Sequence, residues 1–200
     1  MTKHLPEKKR RQEILEAARR LFVARGYGPT KMSDIATEAK LSKGGVYFHF
    51  VSKEEVFEAL VEDEYERSMG FIQEIVGSTA TVDGSMLASL AQHFYTRWQG
   101  ENHIPRFFIV MGEMALRHEP LRLKLIEIQR RYWEAMAKVV ERGIEAGIFR
   151  KVDPRAAGVV IKSLMDGLEA IAAFDKEKTM AEMDFAALFD AAMGGILKQK

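Results

Sequence analysis

Residues 30–50, TKMSDIATEAKLSKGGVYFHF, restrict this chain more than any other stretch. They divide into two short runs of helical periodicity around a three-residue connection. In the first run Met32, Ile35, Ala36 and Ala39 recur at a spacing that makes one face apolar. Thr30 stands where an N-cap hydroxyl is expected. Lys40-Leu41-Ser42 makes the turn, and Ser42 is placed to cap a second, very short helix. There Val46 and Phe50, four residues apart, face inward, while Lys43, Tyr47 and His49 face outward. Two short helices joined in this way describe a helix-turn-helix, whose second helix enters a DNA major groove. The plainer reading of the same residues is a polar surface hairpin in any all-α protein.

Charge helps to separate the two readings. Residues 1–53 contain 12 Lys/Arg and 5 Asp/Glu, whereas the remainder contains 18 and 24. A basic N-terminal quarter on an acidic body is the electrostatic footprint of a nucleic-acid-binding module joined to something else. Lys8-Lys9-Arg10-Arg11 is expected to form a loose basic arm that touches phosphates or the minor groove. The chain has no cysteine. That excludes disulfides, thiolate metal sites and cysteine nucleophiles, and suits a reducing cytoplasm. No apolar run approaches the ~18 residues of a membrane span, and the N-terminus lacks the apolar core of a secretory signal.

From residue 11 to about 57 the chain resembles the N-terminal domain of the TetR (tetracycline repressor) family of bacterial transcription regulators. Three pieces carry the resemblance: A-x-x-L-F-x-x-x-G-Y ending at Tyr27, the D-I-A at Asp34, and S-K-G-x-x-Y-x-H-F from Ser42 followed by S-K-E-E. The resemblance implies base-facing positions at Ser33, Lys43 and Gly45. It implies DNA-backbone positions at Thr30, Tyr47, His49 and Lys53, and a thymine-methyl contact at Phe48. Two residues depart from the family pattern. Gly45 replaces a small side-chain-bearing residue, and Lys40 replaces the usual turn glycine, at a cost of about 1 kcal/mol if the left-handed conformation is kept.

The rest of the chain reads as helices. The first runs from about residue 7 to Gly26, with Ile14, Ala18, Leu21 and Phe22 on one stripe. Ser52 and Glu55 form a capping box for a long fourth helix reaching about Gly77. A loop over 77–84 precedes helices expected over 85–99, 106–117 (after Pro105) and 119–147. Asp153-Pro154 opens a helix to about residue 174, and a last helix is expected over 182–197. The expected fold is therefore all-α, with about nine helices. A helix-turn-helix domain spans 1–52, and a helical ligand-binding and dimerisation domain spans 53–200.

The middle helices are rich in aromatic and methionine side chains. Most of these must fill a core, but a subset can line an apolar cavity, and the resemblance places the family's ligand pocket among these helices. The candidates are Tyr65, Met69, Ile72, Phe94 and Trp98, and beyond them Phe108, Met111, Met114, Trp133 and Met136. The last two helices are apolar on more than one stripe. By resemblance, Leu164, Leu168, Phe185 and Phe189 are candidates for a four-helix dimer interface. The histidines show no paired metal-ligand spacing, and the acidic run at Glu62, Asp63, Glu64 and Glu66 reads as a solvated face. No catalytic constellation, phosphate-binding loop or dinucleotide fingerprint is present.

The expectation is a cytoplasmic, homodimeric transcription regulator, a repressor rather than an enzyme, with no cofactor, metal or membrane partner. It is expected to bind double-stranded, palindromic operator DNA and to be released by a small apolar effector. The rival expectation is a helical binding or enzyme domain whose basic N-terminus meets another anionic partner.

Overall fold

Seven helices hold most of the residues that the computed structural model describes, namely 7–77, 92–96, 98, 103–175, 182, 184, 187–188 and 191. They are α1 (Glu7–Arg25), α2 (Met32–Glu38), α3 (Lys43–His49), α4 (Lys53–Gly77), α5 (His103–Ala115), α6 (Glu119–Glu145) and α7 (Pro154–Phe174). Residues 92–96, within the helix expected over 85–99, are also helical. Most of the helix expected over 182–197 lies outside the described residues. Among the described residues there is no strand, and the fold is all-α.

Local chemistry sets most of the helix ends. Gly26 closes α1 in the left-handed conformation (φ +86°) that glycine adopts without penalty. Ser42 Oγ accepts from Gly45 N at 3.1 Å to start α3, and Ser52 Oγ accepts from Glu55 N at 3.1 Å to start α4. The capping box is shifted by one residue, because Glu55 Oε2 accepts from Val51 N (2.7 Å). Asp153 Oδ1 accepts from Arg155 N and Ala156 N (2.9 and 3.3 Å) ahead of Pro154.

Three local expectations are corrected. Thr30 does not cap α2. Lys31 holds the N-cap position with its N–H bound to Asp34 Oδ2 (2.9 Å), while the Thr30 hydroxyl donates to Gly26 O (2.9 Å). The basic run at Lys8–Arg11 is not a loose arm but the first turns of α1. Arg11 Nη1 there donates to His49 O (3.0 Å), and its guanidinium lies 4.0 Å from the centre of the Phe50 ring. Finally, Pro105 lies inside α5 rather than before it. In the first turn its missing N–H removes no helical bond.

One continuous core joins the head to the body. Ile14, Ala18 and Phe22 of α1 meet Ile35 and Ala36 of α2, Val46 and Phe50 near α3, and Phe57 and Leu60 of α4, all buried. The rings of Phe22, Phe57 and Phe107 follow one another at 5.5 Å, so α1 is packed on α5 as well as on α2 and α4. Burying each such phenyl ring stabilises the fold by about 1.5–3 kcal/mol. The body is built on α7, which lies against both α5 and α6.

The turn between α2 and α3 carries strain. Lys40 has φ 56°, the only positive value at a non-glycine among the described residues. Lys40→Gly is expected to stabilise the fold by about 1 kcal/mol, a rise in Tm of roughly 2–4 °C for a chain of this length. Thermal unfolding followed by circular dichroism checks this, and an unchanged or lower Tm would show that the turn is not strained.

Candidate DNA interface and ligand cavity

Five of the eight candidate DNA residues stand on the outside of the helix-turn-helix. Ser33 lies exposed in the first turn of α2. Lys43, Tyr47 and Phe48 are exposed along α3, with Phe48 79% accessible, and Gly45 is half-buried between them. Lys43 Nζ lies 6.0 Å from the Tyr47 ring centre, so charge and ring area are offered together. A Cβ at Gly45 would sit 3.3 Å from Ser42 Oγ, so any side chain there would press on the α3 cap. His49 is half-buried, with its ring edge-on to Phe48 at 5.1 Å.

Thr30 and Lys53 are placed differently from the expectation. Thr30 is 1% exposed, with its hydroxyl turned inward onto Gly26 O. Lys53 Nζ donates to Tyr27 O (2.9 Å), Gly28 O (3.3 Å) and Thr30 O (2.9 Å), which uses all three ammonium hydrogens. The ammonium also lies 4.1 Å from the Tyr27 ring centre. Lys53 therefore ties the start of α4 to the turn between α1 and α2. Beside it, Tyr27 OH donates to Glu54 Oε1 at 2.9 Å. Burial first, and then this bond, push the Tyr27 hydroxyl's pKa up, while Glu54's own backbone N–H, followed by Tyr27, lowers that of Glu54.

A cavity of about 480 Å³ opens in the body between α4, α5, α6 and α7. Five of the ten candidate ligand residues line it: Tyr65, Phe94, Trp98, Phe108 and Met111. Met69, Ile72 and Met136 do not; they are buried in the surrounding core. Met114 faces a separate small cleft beside Tyr27, Phe57 and Leu121, where head and body meet. Trp133 lines neither, and its indole Nε1 is buried with no hydrogen-bond partner among the described residues. Its backbone carbonyl lies 2.9 Å from where a Cβ at Gly158 of α7 would stand.

The polar residues of the cavity wall were missed by the sequence reading. Ser68, Gln129 and Lys162 all line it, with Lys162 8% exposed. A signal for Lys162 was available: it is the only cation in an apolar stretch of α7, four residues before Asp166 and so on the same helical face. Arg19 was missed as well. It is 0% exposed and joins α1 to Asp63 (3.0 Å) and Glu64 (3.5 Å) of α4. The acidic run on α4 is thus not simply a solvated face.

Of the candidate interface residues, Leu164 and Leu168 are half-buried on α7. They continue a stripe with Val160, Ile171 and Phe174, which are more than half exposed. Phe185 and Phe189 lie outside the described residues. Among the described residues no helix is long and apolar enough to cross a membrane, and no group of three His, Asp or Glu could hold a metal ion.

A helix-turn-helix head sharing its core with a helical body that encloses a cavity is the architecture of a one-chain transcription regulator. Residues 14–60 match the family described as bacterial regulatory proteins, tetR family, and residues 89–169 match a tetracyclin repressor-like C-terminal domain. The chain is 33% identical over 146 residues to the HTH-type transcriptional repressor KstR2 of Mycobacterium tuberculosis, covering 70% of each. A TetR-family regulator from Mesorhizobium loti superposes with a TM-score of 0.78 at 23% identity, over 98% of this chain and 100% of that one. SmeT of Stenotrophomonas maltophilia, in its complex with triclosan, superposes with a TM-score of 0.71 at 22% identity, over 96% and 93%. The chain belongs to the tetR family of bacterial regulatory proteins. It is a DNA-binding transcription regulator and not an enzyme.

Proposed function

We propose that the chain is a homodimeric, ligand-gated repressor that binds palindromic operator DNA and leaves it when the cavity is filled. The observation that carries this reading is the double membership of α4. Its first residue, Lys53, holds the turn that positions α2, and its middle residues Val61, Tyr65 and Ser68 line the cavity. A ligand that displaces this helix acts on the DNA-reading head through a continuous rigid element. SmeT, a repressor solved with triclosan, lends support by analogy.

The gating is tested by reciprocal titration, with fluorescence anisotropy on operator DNA and calorimetry for the ligand. Each tenfold loss of operator affinity requires about 1.4 kcal/mol of differential ligand binding, and operator must weaken the ligand by the same factor. Independent binding of the two would leave a DNA-binding protein without ligand control.

For the interface, Lys43→Ala is expected to weaken operator binding. It should flatten the log–log salt dependence by about 0.9 per half-site, the signature of one phosphate contact. Lys53→Ala, by contrast, is expected to weaken binding with the slope unchanged, because its ammonium is consumed inside the protein. A slope change at Lys53 would mean that its three internal bonds open on DNA.

The exposed α7 stripe supports an interface between two copies of the chain. Leu164→Glu with Ile171→Glu is expected to give monomers in sedimentation, since an unpaired charge in an apolar contact costs several kcal/mol. Operator affinity should fall with it, because half-sites about 34–36 Å apart need both heads held together. A dimer that survives both charges would put the interface elsewhere.

A further inference from the structure

The charged groups on the cavity wall are already matched within the protein. Glu64 pairs with Arg19 (3.5 Å), Glu113 with Arg117 (3.5 Å), and Arg122 with Glu119. Lys162 donates to Asp166 Oδ1, and the other oxygen of that carboxylate accepts from Gln129 Nε2 at 2.7 Å. Glu169, also on the wall, has a partner too. A buried ligand charge of either sign would lose its water and find no free counter-charge. An anion would also meet a wall with three carboxylates against two cations, and a cation would meet the buried Lys162 ammonium.

Two hydrogen-bond donors are nevertheless left over. Of the three Lys162 hydrogens, one goes to Asp166, and a second side of the ammonium faces the Tyr132 ring, 4.6 Å from its centre. No further acceptor for it is found among the described residues. Ser68 is 7% exposed, lines the same cavity, and its hydroxyl has no hydrogen-bond partner among the described residues. Buried donors of this kind are ordinarily satisfied. Apart from the paired charges and Gln129 already named, the wall is mainly aromatic and aliphatic.

We infer that the cavity takes an uncharged, mainly apolar molecule bearing an acceptor oxygen, such as a ketone, ester or lactone carbonyl, which accepts a hydrogen bond from Lys162 Nζ. Ser68 Oγ is a second donor for the same ligand class. The inference rests on the reading of this cavity as the effector site and narrows that reading to a ligand class.

The test uses the full chain and probes of matched length: 2-undecanone, undecanoate and undecylammonium, with hexylbenzene as a probe lacking an acceptor. Binding is read by calorimetry and by Trp98 emission in a Trp133→Phe background, which leaves Trp98 as the only tryptophan of two. The ketone is expected to bind about tenfold more tightly than either charged probe. Lys162→Met should weaken the ketone by about tenfold and leave hexylbenzene unchanged, the discrimination of one hydrogen bond to a charged donor. Because that variant leaves Asp166 without its cation, Lys162→Met with Asp166→Asn and, separately, Ser68→Ala are measured beside it. Tighter binding of undecanoate or undecylammonium, equal losses for ketone and hexylbenzene, or no ketone binding would each overturn the assignment. Ketone binding that leaves operator affinity untouched would instead refute the gating and leave the ligand class standing.

Discussion

Arg19→Met is expected to destabilise the folded chain by about 3–5 kcal/mol, the cost of removing one partner from a buried ion cluster. Arg19 is 0% exposed in the middle of α1. Its guanidinium faces Glu16 (3.5 Å) on its own helix and Asp63 (3.0 Å) and Glu64 (3.5 Å) on α4, with the Phe107 ring of α5 at 5.9 Å. Arg67 reaches Asp63 (3.1 Å) and Glu16 (3.4 Å) from the more open side. Without Arg19, Asp63 and Glu16 keep their contacts with Arg67 while Glu64 loses its contact with Arg19, and methionine would fill the volume without replacing the buried positive charge. Urea unfolding gives the loss directly. Adding Asp63→Asn and Glu64→Gln to Arg19→Met should recover part of it, since the unmatched charge is then gone. A loss below about 1 kcal/mol would place the cluster among ordinary surface ion pairs. Because Glu64 also lines the cavity, this cluster runs from the cavity wall to the first helix of the DNA-reading head. The repaired triple variant is therefore expected to fold and to bind operator while showing weakened ligand control.

Gly158→Ala is expected to cost about 3 kcal/mol, although it adds a single methyl group to a helix. A Cβ at Gly158 would lie 2.8 Å from Ala137 N and 2.9 Å from Trp133 O. These are backbone atoms of α6 and cannot rotate aside, so α6 and α7 must separate. Gly70→Ala in α4 is the matched control. Nothing lies within 4 Å of its added Cβ, and helix propensity alone should make it stabilising by roughly 0.5–1 kcal/mol. Opposite signs for the two variants in urea unfolding are the expected result, and equal effects would remove the argument from close helix approach. Gly158, Lys162 and Met165 share one face of α7, and the last two line the cavity. Ligand affinity should thus fall in Gly158→Ala even where the chain remains folded.

Sequence alone determined what depends on neighbours a few residues apart. The Ser42 and Ser52 caps, the Asp153-Pro154 helix start and the Gly26 stop all fall where the residue types place them, because each is a bond or a φ preference within one turn. Periodicity likewise put Ile14, Ala18, Phe22, Val46 and Phe50 inside, and left Lys43 and Tyr47 on the outer face of α3. What tertiary structure decided is which partner each side chain meets. Lys53 looks like any exposed lysine at a helix start until the turn at 27–30 folds over it with three carbonyls aimed at its ammonium. Met69, Met136 and Met111 carry the same apolar signal, yet of the three Met111 alone lines the cavity of about 480 Å³, because a cavity is defined by what the facing helices fail to fill. Arg19 and Lys162 lie on helical faces that periodicity can identify. That such cations are buried, and what balances them, depends on carboxylates, rings and backbone brought together from other helices, or from another turn of the same one, only when the core closes.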